Sequence, residues 1–182
     1  VPTHVDRRGI HHTDFSDEIR NSAKFQRTMA QLASATDRPL SDIERECKND
    51  FDEIASTQRD WAVSAWGRLS RWFGRAYKLD VDDAQIEKIA ELNKNSTLVF
   101  LPNHRSYLDP LILRSALEKH NFPPNHVLGG VNLSFFPMGS IARRNGTVFI
   151  RREFKNDEVY KACLKAYMGY LVAEEQNMEW YI

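Results

Sequence analysis

The second half of the chain alternates short apolar runs with segments of helical pattern, and no other feature constrains the fold as strongly. The apolar runs cover residues 97–101, 127–131, 147–150 and 177–182, and the helical segments cover residues 83–93, 109–120 and 157–175. Strands that alternate with helices are typical of α/β proteins, in which helices pack on the faces of a sheet. The sequence therefore predicts, within residues 81–182, an α/β domain with a layered mixed sheet flanked by helices.

Residues 1–80 have a different pattern and predict a helical N-terminal region that precedes the sheet. Helical spacing extends over residues 14–34 and again from residue 41 into the mid-50s. Ser41 followed by Glu44 fits the capping-box pattern. We therefore expect the second helix to begin with Ser41 as its N-cap.

A third helical segment, residues 59–78, is strongly amphipathic. Placed at about 100° per residue, its aromatic, leucine and alanine side chains fill an arc of roughly 160°, and Arg68, Arg71, Arg75 and Lys78 lie opposite. This distribution is typical of a helix that lies in a membrane interface. It is equally typical of a helix that docks its apolar side on a domain, and both interpretations stay open.

Composition narrows the functional classes only slightly. The chain has 25 basic and 25 acidic residues, so its net charge does not indicate a nucleic-acid partner. Cys47 and Cys163 are far apart in sequence and have no metal-site spacing, so we expect neither a disulfide framework nor a zinc site. No apolar run approaches the roughly 20 residues that a spanning helix needs. Any membrane contact is therefore expected to be peripheral.

The candidate catalytic residues, His104 and Asp109, follow the first predicted strand, where the chain turns into a helix. Imidazole is the usual base for a hydroxyl that attacks a thioester near neutral pH, and a carboxylate on its other nitrogen fixes the tautomer. Their spacing alone is weak evidence, because His12 and Asp17 share it. The position at the carboxyl end of a strand is stronger evidence, since sites are usually built there. Alternatively, Asp109 only caps the helix and His104 is a turn residue.

A basic segment surrounds another predicted strand. Residues 143–155 contain five basic residues and one acid, and Arg151 and Arg152 directly follow the strand. The planar guanidinium group matches a phosphate. Alternation along a strand should direct one arginine of the pair toward the site and the other away. The alternative is an edge strand whose charges prevent pairing with other chains.

These segments together resemble the glycerolipid acyltransferases. Residues 101–109 (LPNHRSYLD) are similar to the first block of that family, the histidine-four-residues-aspartate motif, and residues 146–152 (GTVFIRR) to its second block. Between them, residues 129–139 resemble the linking segment of the glycerol-3-phosphate acyltransferase branch. The resemblance extends over about residues 95–182.

The resemblance implies transfer of a fatty acyl group from a thioester on coenzyme A or acyl carrier protein to the first hydroxyl of glycerol 3-phosphate. The product would be lysophosphatidic acid for phospholipid synthesis, and the resemblance implies no further cofactor and no metal. It gives His104 the role of base and Asp109 that of its orienting group. It assigns binding of the acceptor phosphate to Arg151 and Arg152, of which we favour Arg152. The enzyme would lie peripherally on the cytoplasmic side of a membrane, in contact with anionic lipid.

One departure from the family pattern limits these expectations. The third block, a glutamate-glycine segment with a following arginine, should come directly after a strand such as residues 178–182, and the sequence does not contain it. We therefore expect the 182-residue chain alone to be inactive or severely impaired. Two alternatives remain: dihydroxyacetone phosphate as the acceptor, or a non-catalytic membrane-binding module. A nucleic-acid role has little support, because the basic strand is short and lacks a recognisable module.

Overall fold

Four parallel strands form the sheet in a computed structural model that describes residues 15–131 and 138–182. They are β1 (Val99–Phe100), β2 (His126–Gly130), β3 (Thr147–Ile150) and β4 (Met178–Trp180). Their order is β1-β4-β2-β3, and each neighbouring pair runs parallel. The predicted α/β class is confirmed, but the expectation of a mixed sheet is wrong, because the described strands all run parallel. The carboxyl ends of parallel strands open on one edge, so the loops after β1 and β3 share that edge.

Helices cover the sheet and supply the N-terminal region. Within the described residues they are α1 (Ser16–Asn21), α2 (Ala23–Thr36), α3 (Leu40–Ile54), α4 (Asp60–Gly74), α5 (Asp83–Asn93), α6 (Asp109–Lys119), α7 (Met138–Arg144) and α8 (Glu158–Ala173). The first three pack with α8 on one side of the sheet, whereas α4 packs on α6. A helical N-terminal region is therefore present, as predicted.

The main hydrophobic core joins the N-terminal helices to the sheet. Phe51 of α3, Tyr167 of α8 and Val148 of β3 are all completely or almost completely buried within it. Burial of each such side chain contributes about 1.5–3 kcal/mol. Cys47 and Cys163, which are distant in sequence, lie in the same core as free thiols with their Sγ atoms 3.3 Å apart.

The predicted helix starts are partly wrong. The segment predicted as one helix over residues 14–34 forms two, because Ser22 has an extended backbone and its Oγ caps α2 by accepting from the Phe25 N–H at 3.3 Å. The expectation that Ser41 is an N-cap is also wrong. The N-cap is Pro39, two residues earlier, and its extended ψ of 135° leads the chain into the first turn at Leu40.

Helix α4 contacts α6 through its small residues and turns much of its aromatic arc outward. A Cβ atom at Gly74 would lie 2.5 Å from Ser115 Oγ of α6, so the two helices approach closely at this glycine. On the outer side, Trp61 is 55% exposed, Trp72 62% and Leu69 39%. Among the helices that the structure describes, none combines the length and the apolar composition that crossing a bilayer requires.

Candidate active site

The loop between β1 and α6 carries His104 and is tied to the end of the chain. The His104 N–H donates to the Ile182 carbonyl at 2.8 Å, and the Ile182 N–H donates to the Pro102 carbonyl at 3.2 Å. These bonds continue the β1–β4 pairing beyond the two strands. The loop is thereby held at the carboxyl edge of the sheet, where a site was predicted.

A single oxygen of Asp109, the first residue of α6, organises this loop. Its Oδ2 accepts from the backbone N–H of Arg105 at 2.7 Å and of Ser106 at 2.8 Å, and it lies 3.2 Å from His104 Nδ1. Asp109 therefore contacts both the imidazole and the backbone of the loop before α6, but it does not cap the helix: the N-cap position is Leu108, which makes no side-chain cap bond, and both N–H donors precede α6. With Nδ1–H directed at the carboxylate, a neutral imidazole leaves Nε2 free to accept a proton.

The environment of Asp109 keeps it ionised. Partial burial raises the pKa of Asp109. The N–H groups of Ser106 and Arg105 and the His104 ring together lower it by a larger amount, so the pKa lies below its ordinary value. The His104 side chain itself is 45% exposed. A charged carboxylate next to an accessible imidazole can stabilise the imidazolium that forms when Nε2 takes a proton.

Two tyrosines flank the imidazole, and sequence reasoning identified neither. The Tyr181 ring lies 5.4 Å from the His104 ring, centroid to centroid, and the highly exposed Tyr107 ring lies at 6.3 Å. The Tyr181 hydroxyl donates to Oε1 of the buried Glu179 at 3.0 Å. Burial, and then the Glu179 carboxylate, raise the pKa of Tyr181 above its ordinary value, so this hydroxyl keeps its proton. Alternation along β4 could have placed Glu179 and Tyr181 on one face, but no local pattern shows that this face meets the loop.

The structure places Arg151 in an internal ion-pair network. Its Nε lies 2.9 Å from Glu53 Oε1, its Nη2 2.8 Å from Asp50 Oδ1 and its Nη1 2.9 Å from Asp157 Oδ2. Its guanidinium carbon is also 4.2 Å from the centre of the Tyr160 ring. The hydrogen bond with Glu53, followed by the nearby carboxylate charges, raises the pKa of Arg151. Its donors therefore connect α3 to the segment after β3.

In this network, burial dominates the pKa of one carboxyl group, that of Asp50. Asp50 is 1% exposed, and burial raises its pKa to about 6, although the Arg151 charge lowers it. Removal from water thus outweighs the attraction of the arginine for this carboxyl group.

Arg152 has a different environment from Arg151. It is exposed, lines a cavity of about 750 Å³ together with Arg38 and Phe154, and has no hydrogen bond or ion pair with the residues that the structure describes. β3 lies three strand positions from β1, which corresponds to roughly 14 Å along the edge. The structure thus brings His104 and Asp109 into contact and places the arginine pair farther along the same edge.

Known proteins are similar in sequence to this chain. The Acyltransferase family model matches residues 83–180, the interval from the start of α5 to the end of β4. The chain is 38% identical over 165 residues, or 91% of its length, to proteins described as "Putative acyltransferase plsB1" from Mycobacterium bovis and from two strains of Mycobacterium tuberculosis. It spans 27% of the length of these relatives.

Proposed function

The chain belongs to the Acyltransferase family, and from this premise we propose that it carries the catalytic base of an enzyme that acylates the first hydroxyl of glycerol 3-phosphate. The acyl donor is a fatty acyl thioester of coenzyme A or of acyl carrier protein, and the product is lysophosphatidic acid. The observation that carries the proposal is the 3.2 Å contact between His104 Nδ1 and Asp109 Oδ2 at the carboxyl edge of the sheet.

The proposed reaction needs no nucleophile from the protein. His104 Nε2 takes the proton of the acceptor hydroxyl while its oxygen attacks the thioester carbonyl carbon and forms the new C–O bond. Asp109 stabilises the imidazolium. When the tetrahedral intermediate collapses, the C–S bond breaks, and the imidazolium returns the proton to the departing sulfur.

The acceptor phosphate is assigned to Arg152. Its guanidinium is available, whereas the donors of Arg151 are engaged by Glu53, Asp50 and Asp157. An arginine offers a phosphate two parallel hydrogen bonds. Arg152 has to extend along the sheet edge toward His104 to share one ligand with it.

The decisive experiment for this function is His104→Ala in the complete gene product, assayed with acyl-coenzyme A and glycerol 3-phosphate. Loss of a general base is expected to lower kcat by about 10²- to 10⁴-fold. His120→Ala is the matched control, because His120 Nε2 also faces a carboxylate, Asp83 Oδ1 at 3.4 Å, at the far end of α6. Near-normal activity of His104→Ala would refute the assignment. Competition with dihydroxyacetone phosphate in the same assay identifies the preferred acceptor.

We also propose that α4 binds the surface of an anionic membrane. Its outward Trp61 and Trp72 can enter the interface, and the exposed Arg68 and Arg75 can contact lipid phosphates. Each cation contributes roughly 1 kcal/mol near an anionic surface. Arg71 is a weaker candidate, because it pairs with Glu118 at 2.6 Å.

Vesicle sedimentation tests this surface in the complete gene product. Arg68→Glu combined with Arg75→Glu should abolish most binding to phosphatidylglycerol vesicles. Binding to neutral vesicles should change little, since the tryptophans are kept. Arg45→Glu is the control, because Arg45 is an exposed arginine on α3. Unchanged binding of the folded double variant to anionic vesicles would exclude α4 as the contact.

A further inference from the structure

A buried carboxylate lies behind the candidate base. Glu179 of β4 is 3% exposed, and its Oε2 accepts from Asn125 Nδ2 at 2.8 Å. Its other oxygen accepts the Tyr181 hydroxyl, and the Tyr181 ring meets the His104 ring at an interplanar angle of 61°. A continuous line of contacts therefore leads from the interior of the sheet to the imidazole.

A carboxylate at this depth is costly unless its oxygens are satisfied. Burial raises the pKa of Glu179, while hydrogen bonds from Asn125 and Tyr181 and the charge of Arg114 act against that rise. Of the two hydrogen-bond donors, Tyr181 is the one that extends to the loop carrying His104. The network thus fixes Tyr181 at both ends, by its hydroxyl in the interior and by its ring at the site.

The contact with Asp109 restrains the imidazole at one atom. Asp109 holds His104 through Nδ1 alone, so the ring could still tilt about the line from Nδ1 to Oδ2, and nearly half of the side chain is exposed. The Tyr181 ring packs against the imidazole from the β4 side, next to the backbone hydrogen bond between His104 and Ile182. The imidazole is thus contacted from two different directions.

We propose that Tyr181, anchored by Glu179, is a positioning residue that holds the His104 imidazole at the angle at which Nε2 faces the acceptor hydroxyl. The kinetic consequence rests on the proposed function, whereas the restraint on the ring does not. Misplacement of a catalytic group by about 1 Å costs up to roughly 10²-fold in rate. A partial loosening of the ring should therefore cost about tenfold in kcat.

Three variants of the complete gene product test the anchor. Tyr181→Phe and Glu179→Leu each remove the hydrogen bond between them, and each should lower kcat about tenfold with little change in KM. The kcat of the double variant should be no lower than that of the less active single variant, because both substitutions remove the same restraint. Glu179→Gln should keep most activity. Its amide can still accept the Tyr181 hydroxyl, and Asn125 can rotate to offer its Oδ1, which has no partner among the described residues.

Tyr170→Phe is the matched control, because the Tyr170 hydroxyl also interacts with a carboxylate, Glu18, and burial followed by this carboxylate raises the pKa of Tyr170, but the pair joins α8 to α1. Its kcat should equal that of the wild type. Multiplicative losses in the Tyr181→Phe, Glu179→Leu combination, or an effect on KM alone, would overturn the proposal. Tyr181→Phe removes one oxygen atom only, so it keeps the test available if Glu179→Leu does not fold.

Nuclear magnetic resonance of ¹³C-labelled histidine separates this proposal from the proposed function. The His104 ring signal, identified by its absence in His104→Ala, should show greater ring mobility in Tyr181→Phe and in Glu179→Leu than in the wild type or in Glu179→Gln. Equal mobility in all four proteins would overturn the restraint whatever the activity. Increased mobility in a protein without acyl transfer would retain the restraint and reject the proposed function.

Discussion

Replacement of Asp109 by asparagine separates the geometric function of this side chain from its charge. Because Oδ2 alone accepts from Arg105, Ser106 and His104, the asparagine should place its amide oxygen at that position and direct its NH₂ group elsewhere. The opposite orientation would direct two backbone N–H groups at an N–H donor. The His104 tautomer should therefore be preserved, and only the negative charge should be lost.

The expected magnitude follows from the strength of the bonds. A hydrogen bond to a charged group contributes about 1.5–3 kcal/mol and a neutral one about 0.5–1.5 kcal/mol, so the imidazolium loses about 1–2 kcal/mol of stabilisation. This corresponds to a decrease in kcat of roughly tenfold. Asp109→Ala removes the orienting bond as well and should lose at least about 10²-fold. The assay is steady-state acyl transfer by the complete gene product. Equal losses in the two variants, or no loss in Asp109→Asn, would refute the argument from the shared oxygen.

Stability gives an independent check with a defined pH dependence. A carboxyl group whose pKa is lowered by folding stabilises the protein above its unfolded pKa near 3.9, and this contribution disappears as the pH falls through the folded pKa. Urea unfolding should therefore show Asp109→Asn to be about 1–2 kcal/mol less stable than the wild type at neutral pH, with the difference shrinking as the pH falls below about 3.9. Asp82→Asn, at the N-cap of α5, is the control that changes a cap carboxylate away from His104. It should leave kcat unchanged.

Two further predictions concern packing and charge away from the imidazole, and both are measured by urea unfolding. Arg151→Met should lower the free energy of unfolding by about 3–5 kcal/mol, because it leaves the buried Asp50 without its cation. Addition of Asp50→Asn should recover part of this loss. Full stability of the single variant would contradict the importance of the ion pair. Gly74→Ala should cost about 1–3 kcal/mol because its Cβ would meet Ser115, whereas Gly169→Ala in α8, with no atom within 4 Å of the added Cβ, should be neutral or slightly stabilising. Equal effects of the two alanines would exclude close packing of α4 on α6.

Elements with strong local signals were predicted well. The predicted bounds 83–93 and 147–150 are those of α5 and β3, and the other strands and α8 differ by a few residues at their ends. Helix α7 was not predicted. The linking segment that supports the resemblance, residues 129–139, lies partly outside the described residues. The acyltransferase family is confirmed, and the glycerol 3-phosphate branch stays a prediction.

Whether a contact of the candidate site could be predicted depends on how far apart in the sequence its two residues lie. His104 and Asp109 could be identified because both belong to one strand-to-helix loop, so their contact is local. The ion pairs of Arg151 could not, because its α3 partners Asp50 and Glu53 precede it by 101 and 98 residues. A phosphate-binding arginine and an internal ion-pair arginine look alike in sequence, and only the packing of α3 against β3 separates Arg151 from Arg152.

The position of β4 explains why the surroundings of the imidazole were missed. Sequence order gives no indication that the last described strand inserts between β1 and β2, yet this insertion makes Ile182 a hydrogen-bond partner of His104 and places Tyr181 against its ring. With any other strand beside β1, Asp109 would still bond Nδ1, because that contact lies within the loop. The tilt of the ring would then lack the restraint from Tyr181. The orientation of the His104 ring therefore depends on the strand order, whereas the pairing of His104 with Asp109 depends on the local sequence alone.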